Sequence, residues 1–338
     1  MKSIAATSGN HTRRRFSFHI GQFALIPVLI GVFIVGALIH KAFLTPSNII
    51  LNILQQSSVL SLLVIAESLI LISNNFDLSL ESIVGLAPMV AAWLICPAKM
   101  HGSGLGFPAF AAMIVLLAIG VIIGTLNGLL VVKLKLNAFI VTLAMLILLR
   151  GITLGMTEGT TLYNLPREFV WLGSGTLFHI PISVWVAVFL FILTELFLKF
   201  YPVGRAIYAI GGNAEAARAA GIRIERIQIG LYVVAGLLAA VAGLMLSGRM
   251  ASVTAGQGQN LIFNVMAAAV IGGISLNGGR GSAVGAFTGV LLLGTVSNIL
   301  ILSQIPSFWI DASFGLIIVV ALILSRLTSN DKGKDVKS

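Results

Sequence analysis

Polar and ionisable side chains occur inside long apolar runs of this sequence, where they could line a path for a polar solute. Three amides, Asn52, Gln55 and Gln56, lie together near the start of one run. Amide groups both donate and accept hydrogen bonds, which suits a sugar or polyol; interfacial residues of a broken helix are the alternative. Glu67 and Arg150 lie within two runs, and each would cost about 2.5–3.5 kcal/mol if it faced lipid. We therefore expect both to face protein or a water-filled path.

A polar break, residues 73–82 with the sequence SNNFDLSLES, separates two of the apolar runs. Its Asp77 carboxylate is placed to cap the helix that follows, because aspartate oxygens accept hydrogen bonds from backbone N–H groups at helix starts. We take capping as the first interpretation of Asp77 and lining of the solute path as the second.

A short helix is predicted within the loop of residues 201–226. Asn213 is a good N-cap, Glu215 lies in the first turn, and Gly221 is a natural residue to follow the last turn. These signals predict about two helical turns over residues 214–220. So short a helix is marginal in water by itself, and it therefore needs a surface on which to pack.

Two surfaces could support this loop helix. Its alanine-rich face is small enough to enter a cleft of another protein, where Arg218 and Arg223 could meet acidic groups. Alternatively, the helix lies on its own subunit or at the membrane.

Composition excludes several classes of protein. The chain has 338 residues, of which 58% are hydrophobic and 9% are charged, whereas a soluble domain carries about 25% charged residues. A soluble enzyme or a disordered chain is therefore excluded. The single cysteine, Cys96, excludes a disulfide framework or a thiolate metal cluster. The sequence also lacks a G-x-x-x-x-G-K-[ST] phosphate loop, so we expect no catalytic site, metal or cofactor.

The elements that must position these residues are membrane-spanning helices. A helix that crosses the hydrocarbon core needs about 20 apolar residues. The sequence predicts an all-α polytopic membrane protein of about ten such helices, surrounded by membrane lipid. They cover residues 22–40, 48–73, 79–96, 108–132, 138–156, 181–200, 227–247, 261–275, 283–302 and 309–325.

The basic residues predict the orientation of these helices. Sixteen of the 21 lysines and arginines fall on one side of the predicted membrane, and such an excess marks the cytoplasmic side. Both termini are then cytoplasmic, as tails of residues 1–21 and 326–338 around a permease domain of residues 22–325. The net charge of +10 is thus a signal of topology, and we expect no nucleic-acid partner.

Four stretches resemble a known family. They are DLSLES at 77–82, NAFIVTLAMLILLRGI at 137–152, GRAIYAIGGNAEAARAAGI at 204–222 and GGISLNGGRGSAVGAFTGVLLLG at 272–294. In their order and separation they resemble the permease subunits of bacterial ABC importers for ribose, xylose and arabinose, the second carbohydrate-uptake class. Asn137 and Thr142 of the second stretch join the candidate path residues on this basis.

The resemblance implies an assembly in the bacterial inner membrane. Two permease subunits, identical or different, pair with each other. Two cytoplasmic ATP-binding subunits drive them, and a periplasmic binding protein delivers the solute. The predicted helix between membrane helices six and seven would be the coupling helix that docks in the ATPase, through Gly212, Asn213, Glu215, Ala217, Arg218 and Gly221.

Two other functions remain open from the sequence. One is a permease of the same family for a solute that is not a sugar, such as a nucleoside, an autoinducer or a branched-chain amino acid. The other is a secondary carrier driven by a proton or sodium gradient, which would use membrane-embedded ionisable residues as a relay.

Overall fold

Helices make up most of the computed structural model, which describes residues 25–331. The helices are α1 (Leu25–Ile39), α2 (Gln55–Ile72), α3 (Leu80–Ile95), α4 (Ala109–Gly128), α5 (Ala138–Thr157), α6 (Arg167–Ser174), α7 (Ile182–Phe200), α8 (Pro202–Gly212), α9 (Ala214–Ala219), α10 (Ile224–Met250), α11 (Leu261–Ile271), α12 (Ala283–Leu302) and α13 (Ser307–Asp331). A π-helical segment, Asn48–Leu54, leads into α2, and another, Leu129–Lys133, extends α4.

A helix lies in each of the ten predicted apolar runs. Six of the helical stretches are long and apolar enough to cross a membrane, counting each π-helical segment with its helix, and the other four are shorter apolar helices. Ten crossings and the cytoplasmic position of both termini stay predictions. The tail of residues 1–21 lies outside the described residues, and α13 continues to Asp331, beyond the predicted boundary at residue 325.

Three elements lie outside the predicted helices. Helix α6 and a two-stranded antiparallel hairpin, β1 (Thr176–Leu177) and β2 (Ile180–Pro181), connect α5 to α7. Helix α8 occupies the first half of the loop that precedes α9.

The core surrounds α2, α3 and α10, whose inward residues are buried. Helix α10 also packs closely on α4, because glycines at the crossing let the two backbones approach. A methyl group at Gly236 would overlap the carbonyl oxygen of Gly120. Close approach through small residues is typical of helix packing in membranes.

A Gly236→Ala variant is expected to lose about 1–3 kcal/mol of stability, because the added methyl overfills this crossing. Gly230 of the same helix has open space where its Cβ would lie. A Gly230→Ala control should therefore be neutral or gain about 0.5–1 kcal/mol through helix propensity. Thermal unfolding of the two variants in detergent tests this, and equal melting temperatures would contradict the packing account.

Candidate functional site

A polar cleft of about 340 Å³ lies where four helices meet. Its polar side chains are Gln56 of α2, Asn264 of α11, Ser297 of α12, and Ser307 and Asp311 of α13. The predicted topology places the contributing part of each helix toward the outer face. In that predicted topology the cleft lies on the outer side of the membrane.

The lining of the cleft suits a solute that carries hydroxyl groups. Two amides and two hydroxyls can donate or accept, and the Asp311 carboxylate accepts. Within the described part of the chain these five side chains form no hydrogen bonds to the protein, so they are available to a ligand. The apolar part of the lining comes from Ile301, Ile305, Ile310 and Phe314. A cleft of this size in which a few polar groups converge beside apolar side chains is typical of small-molecule sites.

Gln56 is the one predicted path residue that lines this cleft; the two neighbouring amides hold helices together. Asn52 donates from Nδ2 to Oδ1 of Asn48, at 2.9 Å, and Asn48 exchanges two hydrogen bonds of 2.9 Å with Asn298 of α12. Gln55 donates from Nε2 to the carbonyl oxygen of Gly173, at 2.9 Å. The structure thus gives Asn52 and Gln55 packing roles.

Glu67 and Asp77 are fully buried away from the cleft. One oxygen of Asp77 accepts from the backbone N–H of Ser79, at 3.0 Å, and from its hydroxyl, at 2.6 Å. Asn127 of α4 donates to the same hydroxyl at 2.8 Å. Asp77 therefore organises the turn that precedes α3, close to the capping role expected, although Ser79 rather than Asp77 is the residue immediately before the helix.

Asn137, Thr142 and Arg150 also lie apart from the cleft. Asn137 is the N-cap of α5 and accepts from the backbone N–H of Ile140, at 3.2 Å. The buried Thr142 hydroxyl bonds to the carbonyl oxygen of its own helix at Ala138, at 2.8 Å. Arg150 faces protein, as expected, and pairs with Glu81 of α3 at 3.0 Å. These three side chains therefore stabilise α5 and its contact with α3.

The predicted helix in the inner loop is present as α9, and it ends one residue earlier than expected. Asn213 Oδ1 accepts from the backbone N–H of Ala216, at 2.9 Å. Gly221 has a φ of +80°, the left-handed conformation that glycine adopts at low cost after a helix. Both terminal signals in the sequence therefore function as predicted.

Of the six residues expected to contact the ATPase, Ala217 alone is buried. Ala217 is buried in a small apolar cluster with Ile210 of α8 and Ile224 of α10, so it seats the helix on its own chain. Arg218 pairs with Glu225 at 2.6 Å, and both side chains are exposed. The other five, Gly212, Asn213, Glu215, Arg218 and Gly221, are exposed, as are Ala214, Ala216 and Ala219 of the helix.

Comparisons with known proteins show which family this helical chain resembles. The family described as branched-chain amino acid transport system / permease component matches residues 49–324. The ribose import permease RbsC of Haemophilus influenzae is 33% identical over 325 residues, 94% of this chain and 98% of that protein. RbsC of Escherichia coli K12 is 35% identical over 311 residues, covering 90% and 93% of the two chains.

A third relative has a different named solute. The autoinducer 2 import permease LsrC of Yersinia pseudotuberculosis is 32% identical over 271 residues, covering 80% of this chain and 75% of that protein. No solved structure matches significantly. From the matched family and the apolar helices, the chain belongs to the branched-chain amino acid transport system / permease component family and is a multi-pass transport permease of the inner membrane.

Proposed function

We propose that the chain is the membrane-spanning subunit of an ATP-driven importer that carries a monosaccharide or a related polyol. The single observation that carries the proposal is the cleft formed by Gln56, Asn264, Ser297 and Asp311 from four different helices. The matches to this chain cover more than 90% of the length of both RbsC relatives. Their name supports ribose or a similar sugar as the solute.

The proposed importer has three kinds of partner. A second permease subunit pairs with this one in the membrane. A cytoplasmic ATPase contacts the exposed residues of α9, of which Glu215 and Arg218 carry charge. A periplasmic binding protein docks on the outer face, above the cleft. This arrangement agrees with the lack of a phosphate loop in the sequence, because ATP hydrolysis then belongs to another chain.

The proposed topology has ten membrane crossings and both termini in the cytoplasm. The asymmetric distribution of lysine and arginine supports it, as do the ten apolar helices. In this topology α9 is on the cytoplasmic side and the cleft is on the outer side, so each faces the partner assigned to it.

In the proposed mechanism the permease is moved by its partners and does no bond chemistry of its own. ATP binding closes the ATPase dimer and displaces α9, which shifts the permease pair between inward-facing and outward-facing states. The ATPase shifts this equilibrium only through different contacts with the two states. The binding protein opens over the outer mouth, and the solute passes through the cleft while its hydroxyl groups exchange hydrogen bonds with the lining.

Competition in a whole-cell uptake assay tests the solute class. Cells that express the chain with its ATPase and binding protein should take up radiolabelled ribose. Excess unlabelled ribose should suppress this uptake, whereas leucine and adenosine should not. Suppression by leucine or adenosine would contradict the sugar assignment. Suppression by autoinducer 2 and not by xylose or arabinose would favour the solute class named for LsrC.

A further inference from the structure

Three backbone segments meet in direct contact beside the coupling helix. They are Ile72 at the end of α2, Gly211 at the end of α8, and Gly279 in the loop between α11 and α12; we refer to this contact as the backbone junction. The N–H of Gly279 donates to the carbonyl oxygen of Ile72, at 2.9 Å. A methyl group at Gly211 would overlap that same carbonyl oxygen.

The loop can reach this position because of its conformation. Gly278 and Gly279 have φ values of +75° and +71°, which place both in the left-handed region that favours glycine. A Cβ at Gly279 would lie 2.8 Å from the Cα of Gly212. The contact is therefore made by backbone atoms, which cannot move aside as flexible side chains do.

Side chains around the backbone junction tie the same segments together. The Tyr208 hydroxyl of α8 donates to the carbonyl oxygen of Gly281, at 2.8 Å. Burial, with a smaller contribution from the charge of Glu195, raises the pKa of Tyr208 to about 12, so this hydroxyl keeps its proton at neutral pH. Gln228 of α10 donates to the carbonyl oxygen of Ser73, which follows α2, at 3.2 Å.

Helices α2 and α12 each have one end at the backbone junction, and both also line the cleft. Helix α2 runs from Ile72 to Gln56, which is about 24 Å at 1.5 Å per residue. Helix α12 begins at Ala283, just after the loop, and carries Ser297 into the cleft. The coupling helix α9 follows Gly212 after one residue. Helix α9 thus faces the proposed ATPase, and the far ends of α2 and α12 face the solute.

We infer that the backbone junction transmits the displacement of α9 to α2 and α12, and so links the ATPase to the two cleft walls. Gly211 is a positioning residue in this role, because it acts by contact between segments and does not touch the solute. The inference rests on the proposed function and specifies the route by which ATP hydrolysis reaches the cleft.

Two glycines in different environments provide a matched test. Gly211 is in close contact with the backbone of Ile72, whereas a Cβ at Gly230 of α10 would meet nothing within 4 Å. Gly211→Ala and Gly230→Ala are compared in the complete complex in proteoliposomes, with ribose uptake and ATP hydrolysis measured separately. Gly211→Ala should lower the ratio of ribose imported to ATP hydrolysed by about tenfold, a typical coupling effect, while Gly230→Ala keeps the wild-type ratio. Equal ratios in the two variants would overturn the inference.

A milder variant covers the case in which Gly211→Ala fails to insert. Tyr208→Phe removes one hydrogen bond next to the backbone junction and should lower the same ratio by about twofold to fivefold, the effect of roughly 0.5–1 kcal/mol. A wild-type ratio in this variant, together with loss of insertion in Gly211→Ala, would overturn the inference. Ribose uptake by the wild-type complex in the absence of ATP would instead overturn the proposed function.

Discussion

An Ala216→Trp variant is expected to lose ATP-driven uptake by about 100-fold, which corresponds to ~2.7 kcal/mol of docking free energy. Ala216 is on the exposed face of α9, where a small side chain allows close approach of a partner. An indole at this position prevents the helix from seating in the ATPase, while the contacts of α9 with its own chain stay intact. Uptake, ATPase binding and membrane insertion of the variant would be measured together.

Two controls separate docking from folding in this experiment. Ala216→Ser keeps a small side chain and should retain nearly all of the uptake. Ala217→Trp replaces a residue that is buried against Ile210 and Ile224, so it should displace α9 from its own subunit and also lower thermal stability. Normal ATPase binding by Ala216→Trp would show that this face of α9 is not the docking surface.

A Ser297→Trp variant is expected to reduce ribose uptake by about 100-fold, as a barrier raised by about 2.7 kcal/mol would. Ser297 lines the cleft of about 340 Å³, and an indole there occupies space that the solute must pass. Membrane insertion and ATPase binding should remain, because the proposed topology puts the cleft and α9 on opposite sides of the membrane.

The matched control at the same position is Ser297→Ala, which removes one hydroxyl without filling the cleft. It should reduce uptake by a few-fold at most, the effect of about 0.5–1.5 kcal/mol for one hydrogen bond. If Ser297→Trp transported ribose as well as Ser297→Ala does, the solute path would not run through this cleft.

The membrane helices were predictable because hydropathy over about 20 residues is encoded locally. The predicted run of residues 79–96, for example, corresponds to α3 at Leu80–Ile95. Boundaries were less accurate where helices carry polar ends. Residues 227–247 were predicted, yet α10 extends over Ile224–Met250, since Glu225 and Arg249 lie outside an apolar window although both are helical.

Helix α8 was missed, since in the loop of residues 201–226 a helix was predicted only over residues 214–220. Its signal was present: Pro202 occupies the first helical turn, a position that proline favours. Ile207 and Ile210 are buried one turn apart on the same face. The helical spacing of the apolar residues in this short segment could have predicted α8.

The cleft was mostly unpredictable, because its residues are far apart in the chain. Asn264, Ser297 and Asp311 lie in three different apolar helices, and nothing local shows that the three converge. Asn52, Gln55 and Gln56 were predicted to line the path because three amides lie close together in the sequence. A helix, however, points neighbouring side chains in different directions. Gln56 alone therefore reaches the cleft.

The most direct test of the central claim, that this permease is a path moved by a separate ATPase, is ribose uptake by purified protein in proteoliposomes. The account predicts accumulation of labelled ribose only when the ATPase, the binding protein and ATP are all present. Accumulation by the permease alone under an imposed proton or sodium gradient, without nucleotide, would contradict it and identify a secondary carrier.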